Sequence, residues 1–215
     1  MSIKNLFRQL VPEVIVNVLR KANYNFHTKA KVNQILKAKT KIYLEIGAGN
    51  KKGKNEWITL DANKNCDLIW DLRYGIPFPD SSIEMIYSSH LFEHLTFKET
   101  AMLLQECRRA LVPGGVFSIC VPNARLYLES YVSRSNEFWA SKPAYWEPAY
   151  NKTTGIDYVN YIAYLDGEHK YMFDEENLLF ILTMNGFKDA KLRDFDDKID
   201  LLDRHHESIY ASAIN

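Results

Sequence analysis

Long apolar runs are missing from this 215-residue chain, and nothing approaches the roughly 20 residues that a membrane-spanning helix needs. No signal-peptide pattern is evident. Cysteine is scarce: Cys66, Cys107 and Cys120 form neither a CxxC pair nor any other metal-type spacing. Such an odd, scattered set points to reduced thiols in a cytoplasmic protein rather than to a disulfide framework. Net charge is lacking too, since 27 Lys and Arg balance 27 Asp and Glu. A nucleic-acid binder usually carries a basic excess, so no nucleic-acid partner is expected. What remains, 47% apolar and 25% charged residues, is the composition of a globular domain with enough core to fold unaided.

The balanced charge is unevenly spread. Between Met1 and Lys41 nine Lys and Arg face one acid, Glu13, whereas Asp194, Asp196, Asp197, Asp200, Asp203 and Glu207 crowd the end. These read as two solvated faces of opposite sign. Ile3, Leu6, Phe7, Leu10, Val14 and Val18 recur at three- and four-residue steps and predict a helix over 3–21, with a kink or division at Pro12. Its apolar stripe suits packing on the main domain. With Lys4, Arg8, Arg20 and Lys21 alongside, it also suits peripheral contact with a membrane through residues 1–22. A second helix is expected over about 25–38.

Short apolar segments at 42–46, 57–60, 67–70 and 83–88 predict strands. The gaps at 50–56 and 62–66 are too short for crossover helices, so one face of a parallel sheet would lack cover there, which the N-terminal helices would supply. A helix is expected over 97–111, broken by Pro113-Gly114-Gly115, with a strand at 116–121. Asp174 caps a further helix over 175–185, and strands at 189–195 and 208–213 close the chain. The domain division follows: a helical segment over 1–40, then one domain over 41–215 with an aromatic-rich insertion at 123–166.

The chemistry gathers at Leu44-Glu45-Ile46-Gly47-Ala48-Gly49, a buried strand running into a glycine bend. Gly47 and Gly49 let backbone approach a ligand where a Cβ would intrude. Asp61 follows the second strand and Asp71-Leu72 the third. Next come Ile76-Pro77-Phe78-Pro79-Asp80, the strand ending in Ser88, then Phe92-Glu93-His94-Leu95 and Leu111-Val112-Pro113-Gly114-Gly115. In this order and spacing the chain resembles a class I S-adenosylmethionine-dependent methyltransferase. Its short connectors are most similar to a bacterial subgroup linked to surface-polysaccharide synthesis.

The resemblance implies a Rossmann-like α/β fold, with a mostly parallel seven-stranded sheet and a C-terminal antiparallel hairpin. It also implies S-adenosyl-L-methionine as cofactor and a small-molecule or glycan acceptor, methylated at oxygen. Gly47, Ala48 and Gly49 would face the cofactor's amino-acid and ribose portions. Asp61, with Ala62, would hold the ribose hydroxyls, and Asp71 and Leu72 would meet the adenine. Ser88 and Ser89 would line the methyl-donor end, while Glu45 would order the glycine loop or the cofactor's ammonium. The family's third glycine is absent; Lys51 stands in its place. That departure, with the basic N-terminal helix, motivates an alternative: a catalytically silent domain docking on a partner or a membrane.

His90 and His94 are expected on one face of a helix, four residues apart with Glu93 adjacent, a spacing that suits a divalent metal, with His169 as a further ligand. The other reading makes them proton handlers, with His90 or His169 taking a proton from the acceptor hydroxyl and His94 beside them. The insertion carries Tyr127, Tyr131, Phe138, Trp139, Tyr145, Trp146, Tyr150, Tyr158, Tyr161 and Tyr164. It is expected either to cover the acceptor or to form a small satellite core.

Overall fold

The computed structural model describes residues 13–53, 56–135 and 154–215, with side chains from residue 26 onward. The first element described is one uninterrupted helix, α1 (Glu13–Ala38). The two helices expected over 3–21 and about 25–38 are therefore joined where both are described: the helix runs from 13 to 38 without a break at 22–24, while the expected kink at Pro12 lies outside the described residues. Residues 3–12, and the side chains on which the membrane reading of residues 1–22 rests, lie outside the described residues. No helix among those described is long and apolar enough to cross a membrane.

Five parallel strands follow: β1 (Tyr43–Ile46), β2 (Trp57–Asp61), β3 (Leu68–Ile69), β4 (Ile83–Ser89) and β5 (Leu111–Pro122). With β6 (Lys188–Leu192) and β7 (Ser208–Ile214) they build one seven-stranded sheet in the order β3-β2-β1-β4-β5-β7-β6. β7 is antiparallel to both of its neighbours. The seven strands and the C-terminal antiparallel pair are those expected. β1 lies at the centre, and Ile46 is in register with Leu60 of β2 and Ser88 of β4. The tips of three strands thus end level, and the order reverses between β1 and β4, the place where open α/β sheets bind ligands.

Leu44, Ile46, Leu60, Ile83, Ile86 and Phe117 are fully buried, because helices cover both faces of a parallel sheet. On one side α2 (Phe97–Ala110) lays Leu103, Leu104, Cys107 and Ala110 on it. Its start is held by a capping box between Thr96 and Glu99. α1 supplies the cover that the short connectors cannot: Val32 joins the core, and the Thr28 hydroxyl donates to Ile69 O (2.8 Å). α5 (Glu175–Met184), capped by Asp174, buries Leu178, Ile181 and Leu182. β5 starts five residues earlier than expected. Its Pro113–Gly115 stretch forms a bulge instead of a break, with Gly114 at φ 78° donating to Asn215 O (3.1 Å).

The insertion contributes α3 (Ala124–Ser133) and α4 (Gly155–Tyr164), which pack on each other through Ala124, Tyr127 and Ile162. A satellite core is therefore present. Phe138, Trp139, Tyr145, Trp146 and Tyr150 lie outside the described residues.

Candidate active site

At the tip of β1 the backbone turns through Gly47 (φ 66°) and Gly49 (φ 65°). A Cβ on Gly47 would stand 2.7–2.9 Å from the Leu91 side chain. Gly47 N–H donates to Leu60 O (2.9 Å), and this folds the bend over the neighbouring strand tip. There Asp61 receives it: Gly49 N–H donates to Asp61 Oδ2 (3.1 Å) and Asn63 N–H to Oδ1 (2.9 Å). The glycine bend and the carboxylate, expected as neighbours, are bonded to one another.

Glu45 is buried behind the bend, and Lys51 Nζ sits 2.6 Å from its carboxylate. Burial pushes the Glu45 carboxyl above the usual range, with Lys51 acting in the opposite sense. The residue in place of the third glycine thus occupies the carboxylate expected to serve the cofactor's ammonium.

From Asp61 a cleft of about 950 Å³ opens over the strand tips. Asp61 and Ala62 line one part, with Trp70, Asp71 and Leu72 nearby; Leu91, Leu95, Met102 and Leu103 form its apolar wall. The Asp71 carboxylate caps a short turn through Arg73 N–H (3.0 Å) and pairs with the Arg73 guanidinium (2.8 Å). Ser88 and Ser89 are buried at the end of β4 and are not among the residues lining this cleft.

The helix expected through His90 to His94 is not formed. β4 ends at Ser89, His90 takes φ 50°, and only Phe92–His94 make a single 3-10 turn. The reason is that Gly47 packs on Leu91 while Phe92 enters the core, a geometry that a continuous helix would not satisfy. The turn directs Glu93 and His94 toward His169, and the two imidazole rings are 5.0 Å apart. One acceptor or ligand atom from each of Glu93, His94 and His169 falls within 4.8 Å of the others, whereas His90 stands outside this group.

These residues line a second cavity of about 220 Å³, together with His90, Tyr161, Ile162, Leu165, Pro122, Arg204 and Glu207. His94 lines both spaces and so joins them. Tyr161 and Ile162 come from the insertion, which therefore contributes to this cavity besides packing on itself.

Glu93 is 2% exposed, and neither of its oxygens accepts a hydrogen bond from another residue. Burial raises its pKa to about 8. His90 is held well below the usual imidazole range, first by burial and then by Arg204 and the neighbouring histidines. His169 is lowered as well, chiefly by burial.

Arg204 and Glu207 were not expected here. The acidic segment, read above as part of a solvated face, includes a 3-10 stretch, Leu202–Glu207, that brings Arg204 and Glu207 to the smaller cavity. Glu207 accepts from the Tyr127 hydroxyl, and Arg204 Nη1 donates to Ser89 O (3.2 Å). Asp200, read as part of a solvated face, is buried instead. It accepts from the Arg193 guanidinium (2.6 and 2.8 Å) and from the Tyr87 hydroxyl (2.9 Å). No local motif announces these partners; the one sequence signal is the pairing of acids with Arg193 and Arg204 in an otherwise acidic stretch.

A switch-point cleft with a glycine bend and a carboxylate on adjoining strand tips defines a Rossmann-like α/β domain. Residues 45–119 match the model of the methyltransferase domain family. A probable S-adenosylmethionine-dependent methyltransferase of Mycolicibacterium smegmatis is 39% identical over 57 residues, a stretch that is 25% of this chain and 21% of that protein. The alignment thus spans about a fifth of the length of this curated relative. Among solved structures, an S-adenosylmethionine-dependent methyltransferase from Archaeoglobus fulgidus shares the fold at TM-score 0.51 and 16% identity, over 95% of this chain and all (100%) of that one. One from Mesorhizobium loti aligns at TM-score 0.48 and 16% identity, over 81% of this chain and 90% of that one.

Proposed function

We propose that the protein transfers a methyl group from S-adenosyl-L-methionine to a hydroxyl of a small-molecule or glycan acceptor. The observation that carries this is the bond between Gly49 and Asp61 at the mouth of a cleft large enough for a nucleoside. The residues fit the cofactor. Asp61 retains acceptor capacity for ribose hydroxyls, Ala62 and Leu72 offer apolar contact, and Asp71, positioned by Arg73, stands where an adenine amine can donate. The bend through Gly47, Ala48 and Gly49 borders the cleft as nearly bare backbone, and at Gly47 the packing of Leu91 leaves no space for a Cβ. Glu45 answers the amino-acid ammonium, in exchange for Lys51.

When bound, the cofactor supplies an activated methyl group on a sulfonium. The chain's part is to position and to move one proton. As the acceptor oxygen forms its bond to the methyl carbon, the carbon–sulfur bond breaks and its electron pair stays on sulfur. The hydroxyl proton leaves toward the imidazoles of the smaller cavity, His90, His94 and His169. Burial keeps His90 and His169 neutral, the form in which an imidazole accepts a proton. Their cavity meets the larger cleft at His94, which supports placing the acceptor on that side. Ser88 and Ser89, buried beneath, support the strand tip.

Calorimetric titration of the full chain with S-adenosylhomocysteine tests this reading. One site per chain is expected, with binding weakened at least tenfold in Asp61→Ala. Absence of binding at millimolar ligand overturns it.

A further inference from the structure

Several atoms that can only accept converge on one point beside the smaller cavity. His94 Nδ1 lies 3.1 Å from the carbonyl oxygen of Glu168, and His169 Nδ1 lies 2.8 Å from that of Ile162. A carbonyl only accepts, so each Nδ1 carries the proton and each Nε2 presents a lone pair. Ser208 donates its hydroxyl to Arg204 O (2.6 Å), so at 2.8 Å it must accept from His90 Nε2, which leaves the lone pair of His90 on Nδ1. That atom is 3.6 Å from Glu93 Oε1, and His94 Nε2 is 3.7 Å from the same oxygen. The Glu93 oxygens accept no hydrogen bond from another residue and are sealed from solvent.

Acceptors facing acceptors in a buried site require a cation between them. A proton fits poorly, since it serves one pair and draws that pair to under about 3.2 Å. A metal fits: two atoms each roughly 2.0–2.1 Å from one ion stand up to about 4 Å apart, as His94 Nε2 and Glu93 Oε1 do at 3.7 Å, and the His169 ligand atom lies within 4.8 Å of both. Imidazoles whose second nitrogen donates to a backbone carbonyl are the arrangement that metal-bound histidines adopt.

We propose that Glu93, His94 and His169 bind one divalent transition-metal ion of the zinc class through a carboxylate oxygen and two Nε2 atoms. Two nitrogens and one oxygen select Zn²⁺ and its borderline neighbours over Mg²⁺ or Ca²⁺, which prefer all-oxygen shells. Three protein ligands leave a coordination position open, and it faces the smaller cavity beside Arg204. An acceptor hydroxyl taken there would be polarised by the ion; this consequence rests on the methyl-transfer reading, whereas the ion site does not. His90 stays outside the ligand set, so with the ion in place it is the one imidazole of the three that keeps a lone pair, on Nδ1, to take the hydroxyl proton.

The test is titration of tag-free, metal-stripped full chain with Zn²⁺, and with Co²⁺ as a spectroscopic probe. One ion per chain is expected, with the visible Co²⁺ bands of nitrogen ligation. His169→Ala and His94→Ala should each weaken binding at least tenfold, while His205→Ala leaves it unchanged. Glu93→Gln keeps the shape of the buried side chain and should also weaken binding, so the site is testable even where a histidine variant folds poorly; circular dichroism checks each variant. No stoichiometric ion, or binding indifferent to these substitutions, overturns the site. S-adenosylhomocysteine binding measured on the same samples separates the two readings. Ion binding without nucleoside binding faults the methyl transfer alone, and nucleoside binding without the ion faults only the metal site.

Discussion

Replacing Gly47 by alanine tests the glycine bend quantitatively, because Gly49 two residues away is a built-in control. Both glycines have φ near 65°, where an L-residue pays about 1–2 kcal/mol. Part of that is offset, by roughly 0.4–1 kcal/mol, because alanine restricts the unfolded chain. A Cβ on Gly49 meets nothing within 4 Å, so Gly49→Ala should cost about 1 kcal/mol and no more. A Cβ on Gly47 meets Leu91 Cδ2 at 2.7 Å and its Cβ and Cδ1 at 2.9 Å. Overpacking of this kind adds about 1–3 kcal/mol, so Gly47→Ala should cost roughly 2–4 kcal/mol. Leu91→Ala removes two of those three contacts. In the double variant the penalties should therefore fall short of their sum by about 1 kcal/mol, well above the scatter of independent sites. Urea unfolding of the four proteins measures this directly. Equal costs at Gly47 and Gly49, or strict additivity with Leu91→Ala, would refute the packing argument.

Arg193→Ala leaves Asp200 buried without its ion partner, and thermal or urea unfolding should register a loss of about 3–5 kcal/mol; a loss under about 1 kcal/mol would mean that the pair is solvated. Asp67 offers a pH test. Partial burial alone would raise its carboxyl, but hydrogen bonds from Thr59 and Gly53 outweigh that and hold it below the usual range. A carboxyl lowered in the folded state stabilises above its unfolded pKa and loses that contribution as pH falls through the folded one. Asp67→Asn should therefore be less stable than the parent at pH 7, with the gap closing below about pH 3; a gap independent of pH would contradict this. Lys51→Ala frees Glu45, so S-adenosylhomocysteine should bind a few-fold more tightly, the worth of roughly 1 kcal/mol for a half-exposed ion pair. Weaker binding would show that Lys51 serves the ligand instead of competing with it.

The parts of the fold that repeat a local rule were legible beforehand. Apolar runs ending at Gly47, Asp61 and Ser88 marked strands whose tips proved level, and Asp174 marked the start of a helix that does begin at Glu175. Sites built by distant segments were not legible. Helical spacing from His90 to His94 assumed a helix that the packing of Leu91 and Phe92 forbids, so His90 was grouped with Glu93 and His94; the structure leaves His90 out and keeps His169, which was expected as a further ligand. Asp200, Arg204 and Glu207 looked like an exposed acidic stretch because burial of a charge depends on a partner far along the chain, here Arg193, Ser89 and Tyr127.

The most direct measurement is a crystal structure of the full chain soaked with S-adenosylhomocysteine. Density for the nucleoside should fill the cleft, with ribose hydroxyls on Asp61, adenine beside Asp71 and Leu72, and sulfur directed toward His94. A nucleoside bound elsewhere, or a cleft left without it at saturating concentration, would contradict the account.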